Sequence, residues 1–338
     1  MSMKQKTYIL IALIFLFSAC SEEDNDLYQA AKNMNTSGAY EVYLKKYPNG
    51  IRAKEIKDSL QSCIENESFN EIKKSNTIGA YLKYINSEDI SEKFKQQAKD
   101  SVIAIREKNY FVQGKAEGNL YLLNTVIKEF PNGKYYHRAQ YLIDSIKTSG
   151  KEKTEEDFTK PEGTFTDKRD GTNYKWIKLD KQIWMAENLK FDSPDGSTAY
   201  NNDPNVNGAV FGLLYTWQTA KESCPAGWHL PSDKEWDELE NFLGGKGVAA
   251  TQLRAESSLW DSYETQYTKS CGFNALPGGD LDIYKNKFAN IGKFANFWTS
   301  TIDKNKNAIY RFIKNDQTIV FRVHYNINNS NSVRCIKD

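Results

Sequence analysis

The side chains most able to do chemistry crowd into one stretch, Cys224 to Trp236, CPAGWHLPSDKEW. It holds a cysteine, a histidine, acidic residues and two tryptophans. That mix would suit a reactive centre or a metal site, and it would equally suit a helix start pinned into a core. The three histidines, His137, His229 and His324, lie far apart and match no metal-ligand spacing. Leu230 precedes Pro231 and is biased to extended geometry, so His229 is read as bonding locally rather than binding a metal. Hard oxygen ligands for calcium occur at Asn201-Asn202-Asp203-Pro204-Asn205, with Asp280 and Asp282 to add to them. Such Asn/Asp runs are ordinarily turns. Calcium is thus the cofactor to consider, and the expectation is no cofactor. Trp260 and Trp298 could stack on sugars, although so many tryptophans in one loop-rich domain are more often core.

These residues need elements to hold them. Ser232 and Glu235 form a Ser-x-x-Glu capping box, in which both side chains satisfy free amides at a helix start. Trp236, Leu239 and Leu243 follow on one helical face, and Gly244-Gly245 stops it. The spacing therefore predicts a short helix over 231–243. A second one is expected at 215–221, ended by Pro225-Ala226-Gly227. Before them, Tyr174 to Met185 reads as a hairpin turning at Asp180-Lys181. After them, 296–301, 308–313, 318–325 and 332–336 read as short strands between polar turns. The pattern is antiparallel, not a repeating strand–helix one.

The chain has 338 residues and a formal net charge of +1. No basic excess exists to grip phosphates, so no nucleic-acid partner is expected. All seven tryptophans lie at or after Trp176, and six of the eight prolines lie at or after Pro161. This shift marks a boundary, with a polar linker at 147–162. The first half repeats itself: YLKKYPNG at Tyr43–Gly50 returns as VIKEFPNG at Val126–Gly133, with a degenerate copy at Tyr81–Ile85 between them. The implied period is about 40 residues, that of helical-hairpin repeats. Region 27–146 resembles a divergent tetratricopeptide-type array, read as a stalk or a partner-gripping solenoid.

At the N-terminus Lys4 and Lys6 precede an apolar run of twelve, Tyr8 to Ala19, too short to span a bilayer. It reads as a signal peptide over 1–19. Phe17-Ser18-Ala19-Cys20 resembles a bacterial lipobox, which implies acylation of Cys20 and a stable membrane anchor. The acidic tether 20–26 follows. Its Ser21-Glu22-Glu23-Asp24 is similar to the signal that sends Bacteroidetes lipoproteins to the cell surface, so an outer-membrane, surface-exposed location is expected.

Five motifs come in order: Trp184-Met185-Ala186-Glu187-Asn188-Leu189; Leu214-Tyr215-Thr216-Trp217; Cys224 to Ser232 with Trp228; Gly272 to Gly279; and Ser332 to Asp338. Together they resemble the Fibrobacter succinogenes major paralogous domain, over 163–338. That family is similar to C-type-lectin-like and formylglycine-generating-enzyme folds. The resemblance implies a compact domain with short antiparallel sheets, and so an α+β protein: a helical repeat array followed by a lectin-like domain. It implies no activity. Without Cys20, the cysteines Cys63, Cys224, Cys271 and Cys335 allow three pairings. The lectin-like resemblance implies Cys224–Cys335; Cys63 and Cys271 fall in different domains and are expected to be unpaired. The sugar-binding triplets of calcium lectins, Glu-Pro-Asn and Trp-Asn-Asp, do not occur. The expected function is non-catalytic: binding or adhesion to a glycan or protein. The alternatives are a copper-dependent enzyme of the formylglycine-generating type and a structural envelope protein.

Overall fold

The computed structural model describes residues 23–87, 89–148, 159, 161–261 and 270–338. The expected signal peptide, Cys20 and most of the 147–162 linker lie outside the described residues. The protein is α+β, with helices first and a mostly antiparallel sheet domain after them. No described helix is long and apolar enough to cross a membrane.

The helices are α1 (23–34), α2 (Ser37–Lys46), α3 (Ala53–Ser75), α4 (Ile78–Ile85), α5 (Glu92–Glu117), α6 (Leu120–Glu129) and α7 (Tyr136–Thr148). Helices α2, α4 and α6 start alike. Thr36, Thr77 and Asn119 each accept a hydrogen bond from the backbone two residues into the helix, at Ala39, Ala80 and Leu122. This is ordinary N-capping. Its recurrence agrees with the period read from the sequence. Residues 23–26, read above as tether, already belong to α1: Asp24 accepts from the Tyr43 hydroxyl at 2.5 Å.

The chain forms two compact units. One holds Met1–Asn76 with Ser87–Gln96, and the other Thr77–Asn86 with Gln97–Asp338. The division falls inside α5, upstream of 147–162. Within the second unit, side chains of α6 reach the first strands. Lys128 Nζ donates to the Asp170 carbonyl at 2.7 Å, and the Tyr121 hydroxyl lies 3.4 Å from the Asn173 carbonyl.

The sheet domain has two sheets. The smaller orders β1 (Glu162–Asp167), β2 (Thr172–Leu179), β3 (Gln182–Met185), β13 (Ile336–Lys337) and β6 (Trp228–His229). The expected hairpin is β2–β3, with Leu179 opposite Gln182 and Asp180 at φ 56° in the turn. The larger runs β11 (Val320–Tyr325), β10 (Ala308–Lys314), β9 (Phe294–Ile302), β7 (Gly278–Asp282), β12 (Ser330–Ser332), β5 (Leu214–Thr216) and β4 (Ser197–Thr198), with β8 (Lys287–Ile291) beside β7. Four short helices interrupt the strands: α8 (Ala209–Phe211), α9 (Trp217–Ser223), α10 (Asp233–Phe242) and α11 (Ala249–Leu253).

Alternation along β9 divides the interior. Ala295 and Phe297 face a core with Trp184, Trp236, Leu239 and Phe273. Trp298 faces a second core with Trp176, Tyr215, Trp217 and Trp228. Such large rings offset the modest apolar content, because each buries far more area than an aliphatic side chain.

Candidate functional site

The stretch Cys224–Trp236 is fixed at every chemically able residue. Cys224 forms a disulfide with Cys335, the pairing that the lectin-like resemblance implies. Cys63 and Cys271 are free thiols, and burial pushes both above the usual thiol range. Ser232 Oγ accepts from the Glu235 amide at 3.3 Å, and the Glu235 carboxylate accepts from the Ser232 amide at 2.6 Å. The capping box is complete. Trp228 stacks on Phe165, with ring centroids 4.4 Å apart. Trp217 donates through Nε1 to the Thr299 carbonyl at 2.8 Å. Trp184 and Trp236 meet edge to face at 5.1 Å.

His229 has partners that its sequence neighbourhood only half reveals. Its Nε2 lies 3.0 Å from Glu235 Oε1 and its Nδ1 lies 2.6 Å from Asp338 Oδ1. Partial burial disfavours the imidazolium, but the bonds to Asp338 and Glu235 outweigh it, so His229 titrates above its ordinary value. Glu235 is the mirror case. Burial opposes its charge, but the Ser232 amide, the Ser232 hydroxyl and His229 pull its pKa down. With both ring nitrogens engaged, His229 joins the helix start to Asp338, the residue that follows β13. A raised histidine pKa stabilises the fold fully below the unfolded value near 6.5, and that share is lost as pH rises through the folded value. A depressed Glu235 pKa contributes above about 4.3 and is lost as pH falls. His229→Gln is therefore expected to flatten the decline in stability above about pH 6.5. Urea midpoints measured across pH would show it; parallel curves for the two proteins would refute the pairing.

A buried arginine explains why the motifs keep company. Arg334 is wholly buried, and among the described residues no carboxylate accepts from it. Its guanidinium donates to Asn188 Oδ1, from Nε at 3.1 Å and Nη2 at 2.5 Å. It also donates to the carbonyls of Met185 at 3.2 Å, Asn274 at 3.4 Å and Phe273. The Phe273 and Phe297 rings lie 4.5 and 5.5 Å from its central carbon. Burial lowers its pKa to about 9, which leaves it a cation at pH 7. The Trp-Met-Ala-Glu-Asn-Leu, Gly-Phe-Asn and Arg-Cys motifs thus meet around one charge. A second buried arginine, Arg311, holds Asp233, Asp237 and Glu240 along one face of α10. The i, i+4, i+7 spacing of these acids is the local signal of that cluster.

Residues 177–337 match the Fibrobacter succinogenes major domain. The match spans every element that surrounds Arg334. No curated protein and no solved structure matches the chain.

The calcium candidates of this domain do not converge. Asp203 Oδ1 accepts from the Val206 amide at 3.1 Å, and its Oδ2 pairs with Lys99 at 2.8 Å. Asn201 bonds Asn86, Asn202 bonds Thr198, and Asp282 holds the turn amides of Tyr284 and Lys285. Among the described residues no three His, Cys, Asp or Glu side chains gather to hold a metal ion. Trp260 and Trp298 are core, so neither offers a face to a sugar.

One face of the larger sheet is covered by the Trp298 core only in part, with Tyr310 and Tyr325 packed at the edge of that core. Phe294, Phe312 and Phe321 stack across β9, β10 and β11, with centroids 5.3 and 4.5 Å apart, and Tyr310 packs on Tyr325 at 5.3 Å. All five rings are half-buried. Strand β11 is the sheet edge, and among the described residues no ring covers the outer face of Phe321. Asp280 lies in the same sheet, 7% exposed, bonded by the Asn290 amide at 2.6 Å and the Asn296 amide at 3.2 Å. Burial raises its pKa, and burial also raises those of Tyr200, Tyr310 and Tyr325, with the Asp280 charge adding to each. Gly279 makes room beside it. At φ 69° it suits glycine, and a Cβ would overlap the Ala289 carbonyl. No local pattern signals this face, because its residues come from four strands, β7, β9, β10 and β11.

Proposed function

We propose that this is a bacterial lipoprotein anchored through Cys20 and exposed on the outer membrane, whose terminal domain binds a glycan or a protein without catalysis. The helices carry that domain, in this reading, as a tetratricopeptide-like stalk, and the domain itself is C-type-lectin-like. One observation carries the binding reading. The motif residues with chemical potential are consumed in structure, while the stacked rings of Phe294, Phe312 and Phe321 stay half-exposed across β9, β10 and β11. Ring faces and edges take the apolar side of a sugar or a peptide side chain.

The test is a glycan array probed with the full chain and with its Phe321→Ser variant at the sheet edge. Binding to a defined set of glycans, lost in the variant at unchanged thermal stability, is expected. Equal signals from both proteins would remove the sheet face as the site. Silence from both would exclude the glycan ligand. Protease shaving of intact cells tests the location, and full protection would refute surface exposure.

A further inference from the structure

Ile51 is 98% exposed, more than any other large apolar side chain among the described residues. A lone exposed isoleucine needs no explanation. Its position does. The turn that carries it is stapled rather than frayed: Tyr47 donates to the Tyr43 carbonyl at 2.8 Å, Gly50 to Tyr47 at 3.2 Å and Ala53 to Gly50 at 3.0 Å. Tyr47 packs on Tyr43 at 5.5 Å, and the Arg52 guanidinium sits 4.4 Å from the Tyr28 ring centre. Pro48 cannot continue α2, so the chain leaves the helix here and Ile51 is held outward.

The chain enters this same corner of the unit. Glu23 pairs with Lys46 at 3.2 Å, and Asp24 with the Tyr43 hydroxyl at 2.5 Å. The first described residue therefore sits beside the end of α2 from which the turn issues. Cys20 is three residues earlier, and three residues reach at most about 11 Å. The polar layer on each side of a bilayer is itself roughly 5–8 Å thick. A lipid on Cys20 would thus leave no room for a spacer between the membrane and this corner.

We propose that the turn Tyr47–Arg52 is a lipid contact, with Ile51 entering the bilayer surface beside the acylated Cys20. The inference rests on the lipid-anchor reading. The acyl chains hold the protein on the membrane, and Ile51 fixes which end of the first unit faces it. Exposed Lys45, Lys46 and Lys54 flank the turn, and Glu23, Asp24 and Glu55 stand beside them. The charges nearly cancel, so the contact is apolar and insensitive to salt.

The experiment uses the acylated full chain in vesicles of phosphatidylethanolamine and phosphatidylglycerol. A fluorophore is placed at Ile51→Cys, in a background of Cys63→Ser and Cys271→Ser. A second protein carries it at Met34→Cys, which lies at the other end of α1, roughly 17 Å along the helix. Lipids spin-labelled near the headgroup are expected to quench the Ile51 site and not the Met34 site. Aqueous iodide is expected to do the reverse. Intact mass of the same sample reports acylation. Equal iodide quenching at both sites with Cys20 acylated would overturn the lipid contact alone. An unmodified Cys20 would overturn the anchor reading, and the contact with it.

Discussion

Arg334→Met is expected to destabilise the second unit by about 3–5 kcal/mol, and to lower its midpoint by roughly 6–20 °C. Methionine approximates the length of the side chain but offers no donor. Asn188 Oδ1 and the carbonyls of Met185, Phe273 and Asn274 would lose a shared partner inside the protein. A buried acceptor without a donor costs about 1–3 kcal/mol, so several together exceed most single-residue effects. The measurement is selective, because every tryptophan lies in the second unit and intrinsic fluorescence follows that unit alone. Arg334→Lys separates charge from shape. Its ammonium keeps the cation but cannot reach an amide and three carbonyls at once. A lysine variant as stable as the natural protein would show that the fork geometry contributes nothing.

The domain's outline was legible where its cause is local. Ser232 and Glu235 announce a helix start because capping is decided within four residues. The β2–β3 hairpin was legible because its turn and its alternation are adjacent in sequence. Arg334 was not legible as a hub. Its partners come from three segments up to 149 residues away, and the strand expected over 332–336 is broken at 333–335, where Arg334 sits between β12 and β13. His229 was legible in part: Glu235 is six residues on, whereas Asp338 is 109 residues away. The face around Asp280 needed β7, β9, β10 and β11 to be placed first. Burial of a carboxylate among neutral amides leaves no pattern in a single chain, because asparagine between strands reads as turn. The helical period was visible as repeated turns, but the unit boundary inside α5 was not, since it depends on which helices touch the sheets.

Trp236→Ala is expected to cost about 3–5 kcal/mol, the range for deleting a large buried aromatic. Its ring has no exposed area and meets Trp184, Phe273 and Phe297 at 5.1, 5.6 and 5.5 Å. Two of those rings also flank the Arg334 guanidinium, so the cavity would loosen the arginine's surroundings as well. Trp236→Phe should cost much less, because the indole Nε1 is buried without a hydrogen-bond partner and its loss strands nothing. Ser232→Ala removes a cap four residues away and should cost about 1 kcal/mol. The order of the three variants, read by urea denaturation with fluorescence, decides what Cys224–Trp236 is for. A packing anchor requires alanine at 236 to be the worst by a wide margin. Equal losses at 232 and 236 would instead mean that the helix start, rather than the core behind it, governs the stability of this segment.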